Sequence, residues 1–275
     1  MICLSIQHRN LGEILGILGR ADVEMAEIRL DRCPLSIEEI EELFSGSDTP
    51  LVATCRISEV FESLRKENAG LDDRQLQLNA YTTVQERLAA AIKAGAQYAD
   101  LEIEAPPSVS RRIRRVASEC GTLLIRSFHD FSGTPSAEGL KAIVEKCVSF
   151  GADVVKIVTT ATCEADVARV MSLYGECAPG SLIAFCMGEA GRKSRLDCLR
   201  EGAPYTYCSL GEGEETASGQ WTLTEMNEAL YGSFSRETGR EPLAMPSSKS
   251  FAQRAIIAAA IAEGTSCLSG YSLNF

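Results

Sequence analysis

Short β-rich runs alternate with longer amphipathic stretches eight times along the chain. The runs cover residues 2–6, 25–31, 51–56, 98–103, 122–128, 153–158, 182–187 and 205–210. Apolar residues at helical spacing occupy the stretches between them, as at 11–18 and 74–94. Eight strand-helix units within about 230 residues predict a (β/α)8 TIM barrel rather than an open doubly wound sheet. No glycine-rich dinucleotide-binding motif follows the first run, which further disfavours the open sheet.

Composition restricts the size and the surroundings of this fold. The chain has 275 residues, of which 45% are hydrophobic, enough for one large core and a small appendage. Its net charge of −11 argues against binding to the phosphate backbone of a nucleic acid. The 11 cysteines include no Cys-x-x-Cys pair, so we expect free thiols in a reducing cytosol. With no basic leader and no apolar segment of about 18 residues, the sequence predicts a cytoplasmic protein without a membrane span.

Polar side chains stand at or near the ends of most predicted strands. The carboxyl ends of all strands in a (β/α)8 barrel face one pocket, so these side chains should converge there. They are Glu27, Arg29, Asp31, Arg56, Asp100, Glu102, His129 and Lys156, with Met187 on the seventh strand. Glu27, Arg29 and Glu102 are equally explained as an ion-pair network that holds strand register. Met187 is explained by core packing or as a pocket wall.

Lys156 lies in the centre of an apolar, β-branched run, residues 153–159, where an ammonium group is costly to desolvate. A functional lysine explains this cost better than a structural one does. His129, one of only 2 histidines, ends the preceding strand. Desolvation, together with nearby cations such as Arg29 or Arg56, should lower the lysine pKa from its free value of about 10.4 toward nucleophilic competence.

A nucleophilic lysine and a histidine in one pocket support Schiff-base chemistry on a ketone. The iminium formed by Lys156 would acidify the adjacent carbon, and His129 would remove that proton and later protonate a leaving hydroxyl. On these grounds β-elimination of water, aldol cleavage and isomerisation all stay open. We expect no metal site, since the histidines and scattered cysteines lack the spacing of metal ligands.

A series of motifs in a fixed order resembles type I 3-dehydroquinate dehydratase over residues 1–232. The motifs are Glu27-Ile28-Arg29-Leu30-Asp31, Thr54-Cys55-Arg56, His129-Asp130-Phe131, Val155-Lys156-Ile157, Met187-Gly188 with Gly191 and Ser194-Arg195, and Ala217-Ser218-Gly219-Gln220. The resemblance implies a (β/α)8 homodimer that converts 3-dehydroquinate to 3-dehydroshikimate in the shikimate pathway of aromatic amino acid biosynthesis. It also implies that neither a metal ion nor an organic cofactor takes part.

The resemblance gives each site residue a role. Lys156 would form an imine with the C3 ketone, while His129 would act as base at C2 and as acid toward the C1 hydroxyl. Glu27 would orient the histidine and contact the substrate. The remaining substrate contacts would be Arg195 and Gln220 for the carboxylate, Arg29 and Arg56 for ring hydroxyls, and Thr216, Met187 and Tyr207.

The sequence departs from the family pattern at several positions. The usual phenylalanine, serine and proline are replaced by Tyr207, Thr216 and Ser218. A glutamate common four residues after the Arg56 position is replaced by Val60, with Glu59 one residue early, so no role is assigned to Glu59. The acidic, glycine-rich loop 211–215 is expected to be either a lid or a plain exposed loop, and loss of the proline should make lid closure costlier.

The residues after the barrel give a second, separate resemblance. Residues 233–241 are polar and are interpreted as a linker. Residues 242–275 resemble the opening of 5-enolpyruvylshikimate-3-phosphate synthase, with Lys249, Ser250 and Arg254 at its phosphate- and carboxylate-binding positions. Because most of that enzyme's core is missing, we expect no synthase activity. The segment is equally explained as an amphipathic extension packed on the barrel or as a disordered tail.

Two other function classes stay open. A class I aldolase-type enzyme would use the same lysine on a sugar phosphate, and it would need a phosphate site after strands seven and eight. Residues 188–194 would supply such a site only weakly. A catalytically inactive relative that acts as a binding protein is the third class, suggested by the tail.

Overall fold

The computed structural model describes residues 1–68 and 70–231, together with two short strands at 243–244 and 268–269. The chain divides into two compact units, Met1–Thr222 and Leu223–Phe275. The predicted linker 233–241 and most of the synthase-like segment 242–275 lie outside the described residues. No helix in the described part of the chain is long and apolar enough to cross a membrane.

Eight parallel strands form the barrel of the first unit. They are β1 (Ile2–Ile6), β2 (Met25–Arg29), β3 (Leu51–Thr54), β4 (Tyr98–Glu102), β5 (Leu123–Asp130), β6 (Val154–Thr160), β7 (Leu182–Met187) and β8 (Thr206–Cys208). Hydrogen-bonded neighbours follow the order β7-β6-β5-β4-β3-β2-β1-β8, so the sheet is nearly closed. The predicted (β/α)8 barrel is confirmed.

Alternation along β6 decides which side chains enter the barrel. Val154 and Val158 belong to the cluster inside the barrel, whereas Val155 and Ile157 pack in the layer between strands and helices. Lys156 has the same parity as the inner pair, so the backbone directs its side chain inward. An apolar strand thus carries one ammonium group into the barrel. Every cysteine of the described residues is a free thiol, as expected.

Helices follow the strands. They are α1 (Leu11–Leu18), α2 (Ile37–Gly46), α3 (Ile57–Glu67), α4 (Asp73–Lys93), α5 (Pro107–Cys120), α6 (Ala137–Ser149), α7 (Glu164–Met171), α8 (Ser194–Arg200) and α9 (Leu223–Tyr231). Capping boxes begin α1 and α2, where Asn10 pairs with Glu13 and Ser36 with Glu39. These local signals explain why the predicted helix starts agree well with the structure.

Two of the predicted segments differ from the structure. The stretch between the third strand and the predicted helix at 74–94 was interpreted only as polar, but it forms α3, in which Val60 is the buried residue. Ile57, Val60, Phe61 and Leu64 stand at helical spacing in this segment, so its periodicity does indicate a helix. Residues 163–174, which the sequence predicts as a single helix after the sixth strand, form α7 and then a 3-10 turn at Ser172–Gly175.

The second unit begins with α9. It also contains β9 (Leu243–Ala244) and β10 (Leu268–Ser269), which pair in parallel with Leu268 opposite Leu243. The proposed synthase-like segment falls mostly outside the described residues, so its assignment stays a prediction.

Gly191, between β7 and α8, offers a test of how tightly this loop packs. A Cβ at this position would lie 2.6 Å from the backbone C and O atoms of Cys186. We expect Gly191→Ala to lower the free energy of unfolding by about 1–3 kcal/mol, because backbone must shift to relieve the overlap. In the control, Gly16→Ala in α1, the added Cβ meets no atom within 4 Å, and the substitution should add about 0.4–1 kcal/mol. Urea denaturation measures both, and equal midpoints would contradict the packing.

Candidate active site

A cavity of about 270 Å³ opens at the carboxyl ends of the strands. All ten residues predicted for the site line it, namely Glu27, Arg29, Arg56, His129, Lys156, Met187, Arg195, Tyr207, Thr216 and Gln220. The structure therefore brings the predicted set together, while the role of each residue stays a prediction. Further residues on the same wall are Arg32, Ser58, Glu59, Glu102, Phe131, Val158, Phe185 and Ala217. Four of these lie within two residues of a strand end, which is the signal that could have found them, namely Glu102, Phe131, Val158 and Phe185.

Lys156 is buried among acidic and aromatic groups. Its Nζ lies 2.9 Å from Oδ2 of Asp100 and 3.7 Å from Oε1 of Glu27. The same atom lies 4.0 Å from the centroid of the Tyr207 ring, a cation–π distance. The sequence had suggested neighbouring cations for this lysine; instead, its charged contacts are carboxylates. The cost of burying the ammonium is thus offset by two negative charges and an aromatic face.

Asp100 is fully buried and is the centre of this charge network. Arg56 donates to both of its oxygens, from Nη1 at 2.9 Å and from Nη2 at 2.8 Å, and Ser127 donates at 2.5 Å. Burial raises the pKa of Asp100, but the charges of Arg56 and Lys156 outweigh it and hold that pKa well below its usual range. Asp100 is therefore ionised at neutral pH. The sequence placed it among the converging strand residues without giving it a partner.

Glu27 and Arg29 also form hydrogen bonds with neighbouring side chains at the bottom of the cavity. Glu27 accepts hydrogen bonds from Ser5 Oγ at 2.6 Å and Thr54 Oγ1 at 2.8 Å. Arg29 donates to Asp31 from Nε at 3.1 Å and from Nη2 at 2.6 Å. Within the described residues, no group of three or more His, Cys, Asp or Glu side chains is arranged to hold a metal ion.

His129 lies on β5, half-buried at the cavity wall. Its ring stacks on Phe131, with centroids 6.1 Å apart and planes inclined by 14°. Burial, followed by the positive charges of Arg56 and Lys156, holds the pKa of His129 well below its ordinary value. The imidazole is therefore neutral near pH 7 and able to accept a proton. Within the described residues, His129 makes no hydrogen bond to Glu27, so the orienting role implied for Glu27 stays a prediction.

Arg195 presents a buried guanidinium that its surroundings leave partly unpaired. It is 2% exposed, and its Cζ lies 4.5 Å from the centroid of the Phe185 ring. Nε and Nη2 are buried without a hydrogen-bond partner in the described residues. Burial lowers the pKa of Arg195 to about 10, so the group stays charged at neutral pH. A buried, unpaired guanidinium in a cavity is suited to bind a carboxylate through two donors.

The loop that follows β8 brings Thr216 and Gln220 to the cavity. Gln220 Oε1 accepts hydrogen bonds from Thr216 N at 2.7 Å and Thr216 Oγ1 at 3.0 Å. The amide nitrogen of Gln220 is thereby directed away from these donors. Gly219 has a φ of +74°, and a Cβ there would lie 2.6 Å from the Gly188 carbonyl oxygen. Only glycine fits this close approach to the loop after β7.

The same loop is tied to the loop after β1. Arg9 Nη2 donates to Glu214 Oε1 at 2.8 Å, and Gln7 Nε2 donates to the Glu214 carbonyl at 3.2 Å. Arg32 then donates to Gln7 Oε1 and to Glu59 Oε1, each at 2.6 Å. We call Gln7, Arg9, Arg32, Glu59 and Glu214 the rim network, because these groups join three loops at the edge of the barrel. Glu59 therefore has a structural partner in Arg32.

Comparison with known proteins follows the same direction as the geometry. The sequence profile described as Type I 3-dehydroquinase matches residues 2–237. The chain belongs to the type I 3-dehydroquinase family. A 3-dehydroquinate dehydratase from Desulfotalea psychrophila is 35% identical over 228 residues, which cover 82% of this chain and 94% of the relative. Another family member, the 3-dehydroquinate dehydratase of Thermococcus gammatolerans, is 33% identical over 84% of this chain and 97% of its own length.

Solved structures from this family share the fold. The 3-dehydroquinate dehydratase from Geobacillus kaustophilus aligns with a TM-score of 0.64 at 22% identity, over 86% of this chain and 92% of that one. The Aquifex aeolicus 3-dehydroquinate dehydratase aligns with a TM-score of 0.60 at 23% identity, over 84% and 99% respectively. The barrel is thus the architecture of the family.

When no ligand is bound, the buried and partly unpaired Arg195 should lower the free energy of unfolding of this family member. Arg195→Met replaces a buried, partly unpaired charge by an apolar side chain, and we expect the free energy of unfolding to rise by about 1–3 kcal/mol. Arg200→Met, on the same helix but exposed and paired with Asp197, should change it by less than about 0.5 kcal/mol. Urea denaturation without ligand compares the two variants. A loss of stability in Arg195→Met would contradict the unpaired state.

Proposed function

We propose that this chain dehydrates 3-dehydroquinate to 3-dehydroshikimate, a step of the shikimate pathway, through an imine on Lys156. The observation that carries the proposal is the joint presence in one cavity of buried Lys156, neutral His129 and partly unpaired Arg195. Membership of the type I 3-dehydroquinase family favours this function over aldol cleavage of a sugar phosphate. It equally favours an active enzyme over an inactive binding protein.

Imine formation uses the protons that the lysine already carries. The Lys156 ammonium gives up one proton to expose the lone pair of Nζ, which attacks C3 of the ketone. The C–N bond forms, and the C–O bond then breaks. Two of the three Nζ protons leave with the ketone oxygen as water, and the third stays on the iminium nitrogen. The positive charge is conserved, and the iminium is the electron sink for the next step.

His129 then moves the proton that elimination requires. As the neutral base it takes a proton from C2, and the C–H electron pair flows into the iminium to give an enamine. The enamine expels the C1 hydroxyl, which leaves as water with the proton that the imidazole carries. Water attacks the conjugated iminium at C3, which releases 3-dehydroshikimate and returns the Lys156 ammonium. This series of reaction steps needs neither a metal ion nor an organic cofactor.

Binding of the substrate follows from the free donors of the cavity. Arg195 would hold the carboxylate, with Gln220 donating from its amide nitrogen since its oxygen is occupied by Thr216. Arg29 keeps Nη1 for a ring hydroxyl because Asp31 takes Nε and Nη2. Both terminal nitrogens of Arg56 bind Asp100, so its proposed contact with a hydroxyl is the least direct. Met187 and Tyr207 would form walls.

Several wider properties stay proposals. A homodimer comes from the family resemblance and is tested by analytical ultracentrifugation, whereas the cytoplasmic location comes from the sequence itself. We also propose the domain division that the sequence suggests. It consists of a barrel domain at 1–232, a linker at 233–241 and a partial synthase-like segment at 242–275. Assay of the full chain for synthase activity, which should be absent, tests the last of these.

Reductive trapping is the experiment that tests the proposed reaction. Borohydride with 3-dehydroquinate should add the mass of the reduced adduct to Lys156, and peptide mass spectrometry locates it. Lys156→Ala should lose both trapping and turnover, because no amine remains at C3. Lys193→Ala, an exposed lysine paired with Asp197, should be trapped like wild type. Trapping only with sugar phosphates would favour the aldolase, and a folded, inactive protein would favour the binding protein.

His129→Ala separates the two chemical steps. The variant keeps Lys156 and should still form the imine, though slowly, while ultraviolet absorbance of the conjugated product shows turnover reduced by about 10²–10⁴-fold. Turnover equal to that of wild type would refute the role of His129.

The acid limb of the kcat/KM profile should lie below the ordinary histidine range. The base must be neutral, and the lowered pKa of His129 means that protonation occurs only as pH falls below about 6.5. We therefore expect kcat/KM to stay flat from about pH 7.5 to below about pH 6.5. His8→Asn, which replaces the other histidine at its φ of +55°, should leave the profile unchanged. A half-loss at or above about pH 6.5 would contradict the assignment.

A further inference from the structure

Asp100 is the carboxylate closest to the Lys156 ammonium among the described residues. Its Oδ2 lies 2.9 Å from Nζ, whereas Glu27 Oε1 lies 3.7 Å away. Asp100 has no exposed surface and does not line the cavity. Its route to the reaction therefore runs through Nζ, the atom that would become the imine nitrogen.

The proton count at Nζ makes this contact important beyond the resting enzyme. The nitrogen is cationic as the ammonium, and it is cationic again as the iminium, which keeps one N–H. A buried iminium without a negative neighbour loses that proton readily, because a low-polarity environment disfavours the charged form. The neutral imine that results is a much weaker electron sink. The buried site thus needs an anion on the side of the nitrogen facing away from the substrate.

We propose that Asp100 is the counter-ion of the protonated imine on Lys156 and keeps that imine charged before the C2 proton is removed and again after the hydroxyl leaves. The proposal rests on the proposed function, since it presupposes an imine at this lysine. It assigns to Asp100 a task distinct from substrate binding, which the cavity walls perform.

The hydrogen bonds around Asp100 suit it to this task better than those around Glu27. Arg56 donates to both oxygens of the carboxylate and Ser127 donates to Oδ1, so its orientation is fixed before any substrate arrives. Arg56 also keeps Asp100 ionised, and so the carboxylate does not take the lysine proton. Glu27 is farther from Nζ and accepts hydrogen bonds from two hydroxyl groups.

Asp100→Asn removes the charge and keeps the size of the side chain. The variant imine should lose its proton as pH rises, because the iminium pKa falls when the negative neighbour is removed. Cyanoborohydride reduces the protonated imine, so trapping by dehydroquinate at Lys156 measures the charged form. We expect the ratio of Asp100→Asn to wild-type trapping to fall by about tenfold or more between about pH 6 and about pH 9. Expressing the result as a ratio removes the pH dependence of the reagent.

Ser127→Ala is the matched control. It removes one hydrogen bond to the same carboxylate but leaves the charge, so its trapping ratio should not change with pH. An Asp100→Asn ratio that is reduced equally at every pH would mean that the residue only places the lysine, and this would overturn the counter-ion. Wild-type protein that is not trapped at Lys156 at any pH would overturn the proposed function itself. The two failures are therefore distinguishable.

A measurement on wild-type protein decides the matter even where Asp100→Asn does not fold. The C=N stretch of the imine formed from C3-labelled dehydroquinate shifts in D₂O only while the nitrogen carries a proton. We expect the D₂O shift to persist across the same pH range. Disappearance of the shift with rising pH would overturn the proposal.

Discussion

The contact of Asp100 with Arg56 and Lys156 is the interaction on which the site depends. Removing a carboxylate from water costs several kcal/mol, and the same holds for each cation. None of the three could occupy the barrel floor alone. Arg56 follows the end of β3, Asp100 lies on β4 and Lys156 lies on β6. These strands must therefore be in register before the charges meet. The network therefore links correct closure of the sheet to assembly of the reactive lysine.

A different principle governs Arg195. The floor charges are paired within the protein, whereas two nitrogens of this guanidinium are buried without a partner. An unpaired buried donor costs free energy in the folded protein and recovers it when an anion arrives. The guanidinium is held in place by its stacking contact with Phe185. The hydrogen bond that the Cys186 amide donates to Ser194 Oγ fixes the neighbouring residue. These unpaired donors are the feature that supports the proposed binding of a carboxylate by Arg195.

Period-two alternation and the strand-end rule predicted the barrel and six of the ten cavity residues, namely Glu27, Arg29, Arg56, His129, Lys156 and Met187, whereas Arg195, Tyr207, Thr216 and Gln220 came from the family resemblance. Both are local properties, so a sequence reveals them. The pairing of Asp100 with Lys156 could not be predicted, because it depends on the stagger of strands 56 residues apart in sequence. The rim network could not be predicted either, because Gln7 and Glu214 lie on two different loops and are 207 residues apart in sequence. Helix α3, by contrast, was predictable, since Ile57, Val60, Phe61 and Leu64 stand at helical spacing among its polar residues.

The floor and the rim of the cavity differ in strength, and the difference suits an enzyme. Buried ion pairs with several hydrogen bonds hold Lys156, and these resist rearrangement during the reaction. At the rim, Arg9 and Glu214 are 29% and 36% exposed, and a pair of this kind contributes only about 0–1 kcal/mol. The loop that carries Thr216 and Gln220 is thus held by contacts that thermal motion breaks. A rigid floor and a weakly held rim are the arrangement expected if the loop 211–215 is a lid.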